Sequence, residues 1–167
     1  TDYGQYFAWG ETAEKTDYSW DTYKWGKYED SAPDYGMTKY NTKDGLTTLE
    51  TGDDPATTAW GNKWRTPTLG EIKELCDKCD WTWTAKNGVN GYTVTGKNGN
   101  SIFLPAAGYR NDTGIKDAGK DGNYWSSSLY ASSLIYAYYF YFNSSEHDWY
   151  DDCSRCCSMT VRAVTAK

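Results

Sequence analysis

The sequence lacks several features that would place it in a common functional class. It has no run of about 18 apolar residues, so we expect no transmembrane segment. Positive charge is scarce, because 17 Lys and Arg residues face 23 Asp and Glu residues and give a net charge of −6 at pH 7. Nucleic-acid-binding proteins carry a clustered basic surface, so no nucleic-acid partner is expected.

Groups that usually carry catalysis or bind metals are also few. The only histidine is His147, and no Ser-His-Asp set or paired carboxylate with clear burial is visible, so we do not expect an enzyme. Five cysteines are an odd number, so at least one is free or paired outside the chain. Cys76 and Cys79 form one CxxC pair, and the other three lie between 153 and 157. The two groups are far more distant than the roughly 15–20 residues of a compact zinc ribbon, so neither a metal nor another cofactor is predicted.

The segment from Tyr130 to Ser158 has an unusual composition. Its 29 residues include no Lys, Gln, Gly or Pro, whereas Tyr and Ser occur six times each and Asp and Cys three times each. Tyr offers rigid amphipathic contact area at low entropic cost, and Ser offers small hydrogen-bonding groups, which is how a paratope is composed. We therefore predict a recognition surface at about 129–158, within a single domain spanning 1–167.

Two short helices are predicted ahead of a run of short strands. Asp54 is the predicted N-cap of the first helix, which Gly61 ends. Thr68 and Glu71 form a capping box for the second helix, over 69–78. Strands are predicted at 81–84, 92–96, 101–105, 124–128, 138–142 and 159–164, and loops or irregular short strands at 106–121, 129–136 and 143–158. This order of elements predicts an α+β domain.

The strand at 138–142 alternates in a way that predicts which side chains are buried. Side chains of a strand point to opposite faces in turn. We expect Tyr138, Phe140 and Phe142 to be buried, and Tyr139 and Tyr141 to be exposed.

Aromatic side chains are dense among the first 31 residues, where Trp20, Trp25 and Tyr28 lie among Gly, Lys and Asp. Their irregular spacing predicts short strands and loops held by buried rings. An aromatic box for a cationic ligand is the alternative hypothesis for these rings.

Five motifs spread along the chain carry a resemblance to a known family. They are Ala-Trp-Gly-Glu-Thr at 8–12, Trp-Gly-Asn-Lys-Trp-Arg-Thr-Pro-Thr at 60–68, Asn-Gly-Asn-Ser-Ile-Phe-Leu-Pro-Ala-Ala-Gly-Tyr-Arg at 98–110, Tyr-Trp-Ser-Ser-Ser at 124–128 and Val-Arg-Ala-Val at 161–164. With these motifs the chain resembles the bacterial surface proteins called the major paralogous domain family. The resemblance implies a C-type lectin fold of the formylglycine-generating-enzyme type.

The C-terminal segment is also similar to the variable proteins of diversity-generating retroelements. In those systems, adenine-specific mutagenesis of Asn codons yields Tyr, Ser, Asp, Cys, His and Ile, but not Lys, Glu, Gln, Met or Trp. Residues 130–158 fit this filter except Glu146 and Trp149, which we assign to the fixed scaffold. The resemblance implies that the diversified, ligand-binding positions are Tyr130, Ser132, Ser133, Ile135, Tyr136, Tyr139, Tyr141, Asp148, Tyr150, Asp151, Asp152, Cys153, Cys156 and Cys157. Ala137, Phe140, Phe142 and Trp149 would be framework.

The resemblance implies a function in ligand binding. We expect a display protein at the bacterial surface or on a phage, with its targeting segment outside this chain and an extracellular protein as its partner. The family usually begins with an extra strand whose cysteine could pair with Cys79, and this chain starts after it. The calcium-binding motifs of sugar-specific lectins are not found, so calcium-dependent sugar binding is not expected. A non-diversified adhesin or glycan-binding module of the same fold is the alternative.

Overall fold

Short β-strands dominate the structure. The computed structural model describes residues 3–111, 114–130 and 132–165. Within these residues it contains the strands β1 (Phe7–Ala8), β2 (Trp64–Arg65), β3 (Asp80–Lys86), β4 (Val89–Thr95), β5 (Ser101–Pro105), β6 (Tyr109–Asn111), β7 (Gly114–Lys116), β8 (Gly122–Leu129), β9 (Tyr136–Phe142), β10 (His147–Ser154), β11 (Ser158–Met159) and β12 (Val164–Thr165). The helices are α1 (Pro55–Trp60) and α2 (Leu69–Lys78), with single 3-10 turns at Pro33–Gly36 and Thr51–Asp53.

The strands pair into several small antiparallel sheets. One sheet has the order β1-β11-β6-β7, a second has β10-β9-β8, and a third has β3-β4-β5. A two-stranded sheet joins β12 to β2. Both ends of the described chain are therefore tied into sheets with residues far away in sequence.

Both helices begin and end where local sequence chemistry places them. Asp54 Oδ1 caps α1 by accepting from the backbone N–H groups of Ala56 and Thr57, at 2.9 and 3.3 Å. In α2 the predicted capping box is confirmed, because Thr68 and Glu71 each accept a hydrogen bond from the backbone N–H of the other. Neither helix has the length and apolar character needed to cross a membrane, in the part of the chain that the structure describes.

The predicted fold class, an α+β domain with a C-type lectin fold, is wrong. The described residues form mostly strands, distributed over several antiparallel sheets, and the two helices contain only 6 and 10 residues. Gly61 ends α1, and the chain becomes extended at Cys79 immediately after α2, so both helices remain short.

Several element predictions also need correction. The predicted loop at 106–121 contains β6 and β7, and the predicted irregular region at 143–158 contains the eight-residue strand β10. The predicted strand at 159–164 is split between β11 and β12. In contrast, the strands predicted at 81–84, 92–96 and 101–105 are confirmed as β3, β4 and β5.

Strand β8 lies in the interior and connects the sheets. It pairs with β9 on one side, while the N–H of Trp125 donates to the carbonyl of Thr160 at 3.0 Å on the other. The indole N–H of Trp125 donates to the carbonyl of Phe7, and that of Trp9 donates to the carbonyl of Ser126. These bonds satisfy the buried indole groups and fix the N-terminal strand against the centre of the molecule.

Arg155 is fully buried and connects distant parts of the chain. Its guanidinium donates hydrogen bonds to one hydroxyl and three backbone carbonyls, which belong to Tyr23, Lys39, Tyr40 and Leu134. The same group lies 5.0 to 5.6 Å from the ring centroids of Trp9, Tyr23 and Tyr40. Among the described residues it forms no ion pair with a carboxylate. Its charge is therefore stabilised by carbonyl dipoles and aromatic faces.

We predict that Arg155→Leu destabilises the protein strongly. It leaves a buried tyrosine hydroxyl and several carbonyls without their donor, a loss of about 2–4 kcal/mol in the free energy of unfolding. Urea denaturation measures it. The matched control is Arg162→Leu, since Arg162 is exposed and should change stability by less than about 0.5 kcal/mol. Equal effects of the two substitutions would contradict the anchoring role of Arg155.

Candidate functional site

The predicted recognition segment, residues 130–158, folds into β9, β10 and the turns beside them. The register of the β9–β10 pair shifts between Asp148 and Asp151, where β10 contains one residue more than its partner. Such a β-bulge bends the strand and redirects its side chains. Tyr150 lies in the bulge and is 55% exposed. No other tyrosine of the described residues is as exposed.

One side of β9 supplies a buried framework beneath the segment. Phe140 and Phe142 are buried, as predicted, in a core cluster that also contains Tyr124. The Phe142 ring lies against the backbone of Gly122, where an added Cβ would be 2.0 Å from the ring, so a larger residue would displace it. Trp149 is partly buried against the same cluster, which fits its assignment to the fixed scaffold.

Four tyrosine rings contact one another next to this framework. Tyr130 lies 5.1 Å from Tyr138 and 6.4 Å from Tyr136, and Tyr138 lies 5.4 Å from Tyr150, all between ring centroids. We call these four residues the tyrosine cluster. Burial, and then the proximity of Tyr150, raises the pKa of Tyr138, so its hydroxyl stays protonated at neutral pH. The cluster is a continuous half-buried aromatic surface with hydrogen-bonding hydroxyls.

Tyr138 was not predicted to belong to the recognition surface. Alternation places it correctly on the side of β9 that holds Phe140 and Phe142. It is only half-buried, however, and its ring contacts are with Tyr130 and Tyr150. Alternation predicts on which face of the strand a side chain lies, but not where the packing layer over that face ends. The sequence therefore gives no sign that Tyr138 is only half-buried.

The other side of β9 carries a second, more polar group. The hydroxyl of Tyr139 donates to Asp151 Oδ2 at 2.8 Å, and its ring lies 6.3 Å from that of Trp125. Burial, and then the bond to Asp151, raises the pKa of Tyr139. The hydroxyl of Tyr141 accepts from the amide of Asn143 at 3.0 Å. Both tyrosines are half-buried, so the prediction that they are exposed is wrong, because the sheet packs on residues around Trp125 here.

Acidic side chains surround both tyrosine groups. Glu146 and Asp148 are exposed, and Asp151 and Asp152 are half-buried. None of the four forms an ion pair with a Lys or Arg of the described residues. Burial, and then the charge of Asp151, raises the pKa of Asp152. A cation brought to this surface would therefore relieve repulsion between neighbouring carboxylates.

The three C-terminal cysteines form a compact group of free thiols. The thiol of Cys157 neighbours those of Cys153 and Cys156. These contacts lower the pKa of Cys157, and together with burial they raise the pKa of the other two. No group of three or more His, Cys, Asp or Glu side chains suited to a metal ion is found in the described ranges.

Two of the predicted ligand-binding residues lie in or against the core. Cys156 is 6% exposed and belongs to a core cluster with Tyr18 and Tyr23, against which Ile135 also packs. The assignment of Cys156 to the ligand-binding surface is therefore wrong, because the turn after β10 points it inward beside Arg155.

The remaining predicted positions lie at or near the surface. The turn between β8 and β9 leaves Ser132 exposed and Ser133 half-buried, and Cys153 and Cys157 are half-buried. The structure thus brings Tyr130, Tyr136 and Tyr150 together on one side of β9. It brings Tyr139, Tyr141, Asp148 and Asp151 together around the other side.

Comparison with known proteins gives a family but no function. The family model described as Domain of unknown function (DUF8237) matches residues 70–164. That range covers more than half of the chain and includes the whole recognition segment. No curated protein and no solved structure matches the chain. The chain therefore belongs to the family described as Domain of unknown function (DUF8237).

Proposed function

We propose that this chain is a ligand-binding display protein whose recognition surface is formed by β9, β10 and the turns beside them. The observation that carries the proposal is the tyrosine cluster. Four rings of the cluster lie in a continuous chain of contacts, and Tyr150 at its end is the most exposed of them. Tyrosines dominate the binding energy of many protein interfaces, and they do so when they are rigid before binding.

The surroundings of the cluster favour such rigidity. Phe140 and Phe142 hold β9 in the core, and Arg155 holds the turn that follows β10. Because these contacts fix the strands before a ligand arrives, little conformational entropy remains to be lost on binding. A preorganised surface of this kind can tolerate exchanges of its outer side chains.

The charge of the segment indicates the character of the partner. Glu146, Asp148, Asp151 and Asp152 carry four negative charges, and the only basic residue of the segment is the buried Arg155. The net charge near −3 favours a protein with a basic contact surface, mainly by increasing the rate of association at low salt. We therefore propose a partner with a basic contact surface; its extracellular location is implied only by the resemblance to surface proteins.

The residue types of the segment support a further part of the proposal, that the surface is diversified. Outside Glu146 and Trp149, residues 130–158 fit the products of adenine mutagenesis at Asn codons, as in retroelement variable proteins. The coding DNA tests this idea directly. We expect a near-identical copy of the region encoding 122–164, differing at adenines and beside a reverse transcriptase gene. A genomic locus without that copy would contradict diversification and leave ligand binding standing.

A specific observation favours the second candidate function, a non-diversified adhesin or glycan-binding module. Trp60 is 59% exposed, and its ring lies 6.4 Å from that of Trp64. Both rings line a cavity of about 660 Å³ together with Arg162 and Tyr3. Exposed aromatic walls of this kind suit an amphipathic ring ligand.

We predict that a photo-crosslinking residue at position 150 captures the partner. p-Benzoylphenylalanine in place of Tyr150 should form covalent adducts with one protein from cell-surface extracts, detected by mass spectrometry, because this ring is central to the proposed contact. Tyr150→Ala should then weaken the affinity for that protein at least about tenfold, as for an interface hot spot. The melting temperature should hardly change, because the side chain is exposed.

The matched control places the same crosslinker at Trp60, which is equally exposed but lies outside the recognition segment. Adducts from position 60 and none from position 150 would overturn the leading proposal and favour the adhesin.

A further inference from the structure

Three aromatic rings, two of them exposed, form a strip in the N-terminal part of the chain, outside the recognition segment. The centroids of Trp20 and Tyr28 are 6.0 Å apart, and those of Tyr28 and Tyr35 are 6.4 Å apart with an interplanar angle of 19°. Tyr28 is 40% exposed and Tyr35 is 38% exposed. We call these three residues the aromatic strip. Packing against the core accounts for the half-buried Trp20 but not for the exposed rings of Tyr28 and Tyr35.

The backbone that presents the strip is strained. Asp34 and Tyr35 are consecutive non-glycine residues with φ of 53° and 56°, in the left-handed region that L side chains rarely adopt. Gly26 closes the loop by an antiparallel bridge to Met37, where a Cβ would lie 2.4 Å from the carbonyl of Gly36. Strain of this kind concentrates at ligand-binding sites. Here it places the ring of Tyr35 against that of Tyr28.

One end of the strip and the recognition segment pack against the same part of the core. The hydrogen bond from Tyr28 to the Asp30 carboxylate raises the pKa of Tyr28. Trp20 packs against the same core cluster as Ile135. The Trp20 end of the strip therefore lies near the turn between β8 and β9, which Tyr130 and Tyr136 flank, although the strip and this turn are about 100 residues apart in sequence.

The charges beside the strip are mostly negative. The hydroxyl of Tyr28 donates to Asp30 Oδ1 at 3.1 Å, which holds a carboxylate at the edge of its ring. The nearby Lys27 is already paired with Asp21. Glu29 and Asp30 form no ion pair with the described residues, so aromatic faces and unneutralised carboxylates lie side by side.

We propose that the aromatic strip binds an arginine side chain of the protein partner and forms a second part of the recognition surface. The inference rests on the proposed function. A guanidinium is planar and stacks on aromatic faces, while its N–H groups can pair with a carboxylate such as Asp30. A lysine ammonium is a compact, strongly hydrated charge that fits a stacked surface less well. The strip lies outside the diversified positions, so it would supply a constant contact beside a variable one.

The test uses a hexa-arginine peptide and its hexa-citrulline analogue, which has nearly the same shape without the charge. Binding to the full chain is measured at 0.15 M salt by tryptophan fluorescence and by calorimetry. The double variant Tyr28→Leu/Tyr35→Asn removes the two exposed rings, and Asn tolerates the left-handed backbone at position 35. We expect it to weaken hexa-arginine binding about tenfold, the combined effect of two exposed cation–π contacts. Near-ultraviolet circular dichroism checks that the variant is folded.

Two single variants make the outcome specific. Trp60→Leu removes an exposed ring elsewhere and should leave hexa-arginine binding unchanged. Tyr150→Leu reports on the tyrosine cluster. Weaker binding in Tyr150→Leu alone would overturn the arginine site while sparing the proposed function. Equal binding of the citrulline peptide, no binding of hexa-arginine to the native chain, or an unaffected double variant would each overturn the arginine site as well.

Discussion

The buried guanidinium of Arg155 is the constraint on which the rest of the structure depends. A charge removed from water is costly unless its hydrogen bonds are made again inside the protein. Here four donated hydrogen bonds and three aromatic faces do so. These partners come from the N-terminal loops and from the turn before β9, so one side chain fixes both to the end of β10. Arg155 thereby fixes the recognition segment to the rest of the protein. The composition of the segment gives no sign that this arginine is buried.

A fixed base separates the residues that stabilise the sheet from those that the proposed function would vary. Side chains below the sheet, such as Phe140 and Phe142, contribute to stability through burial. Those at its outer edge, such as Tyr150 and Asp148, are exposed and contribute little. Selection on stability and selection on binding then act on different residues. In the proposed function, the aromatic strip would add a constant element next to the variable one, in a loop that bears its own backbone strain.

The helix caps and several strands could be predicted from the sequence, whereas the arrangement of the strands in sheets could not. The cap of α1 by Asp54, the box of Thr68 and Glu71 and the strands β3 to β5 follow from neighbouring residues, and all are confirmed. The fold class was wrong because it depends on how long the helices become and how the strands divide among sheets. For the site, the strand period predicted the burial of Phe140 and the face of Tyr138, but it did not predict that Tyr138 is only half-buried. The resemblance misplaced Cys156 at the surface. Long-range contacts decide where a covering layer ends and which way a turn faces.

The central claim is that a fixed framework carries an exchangeable surface, and one measurement tests it most directly. Five outer residues are replaced together by serine, and the free energy of unfolding is measured by urea denaturation; the five are Tyr130, Tyr136, Asp148, Tyr150 and Asp152. The account predicts a single cooperative transition and a loss of no more than about 2 kcal/mol, below that of Phe140→Ser alone. A non-cooperative transition, or a loss exceeding that of Phe140→Ser, would show that these side chains are part of the core and would contradict the account.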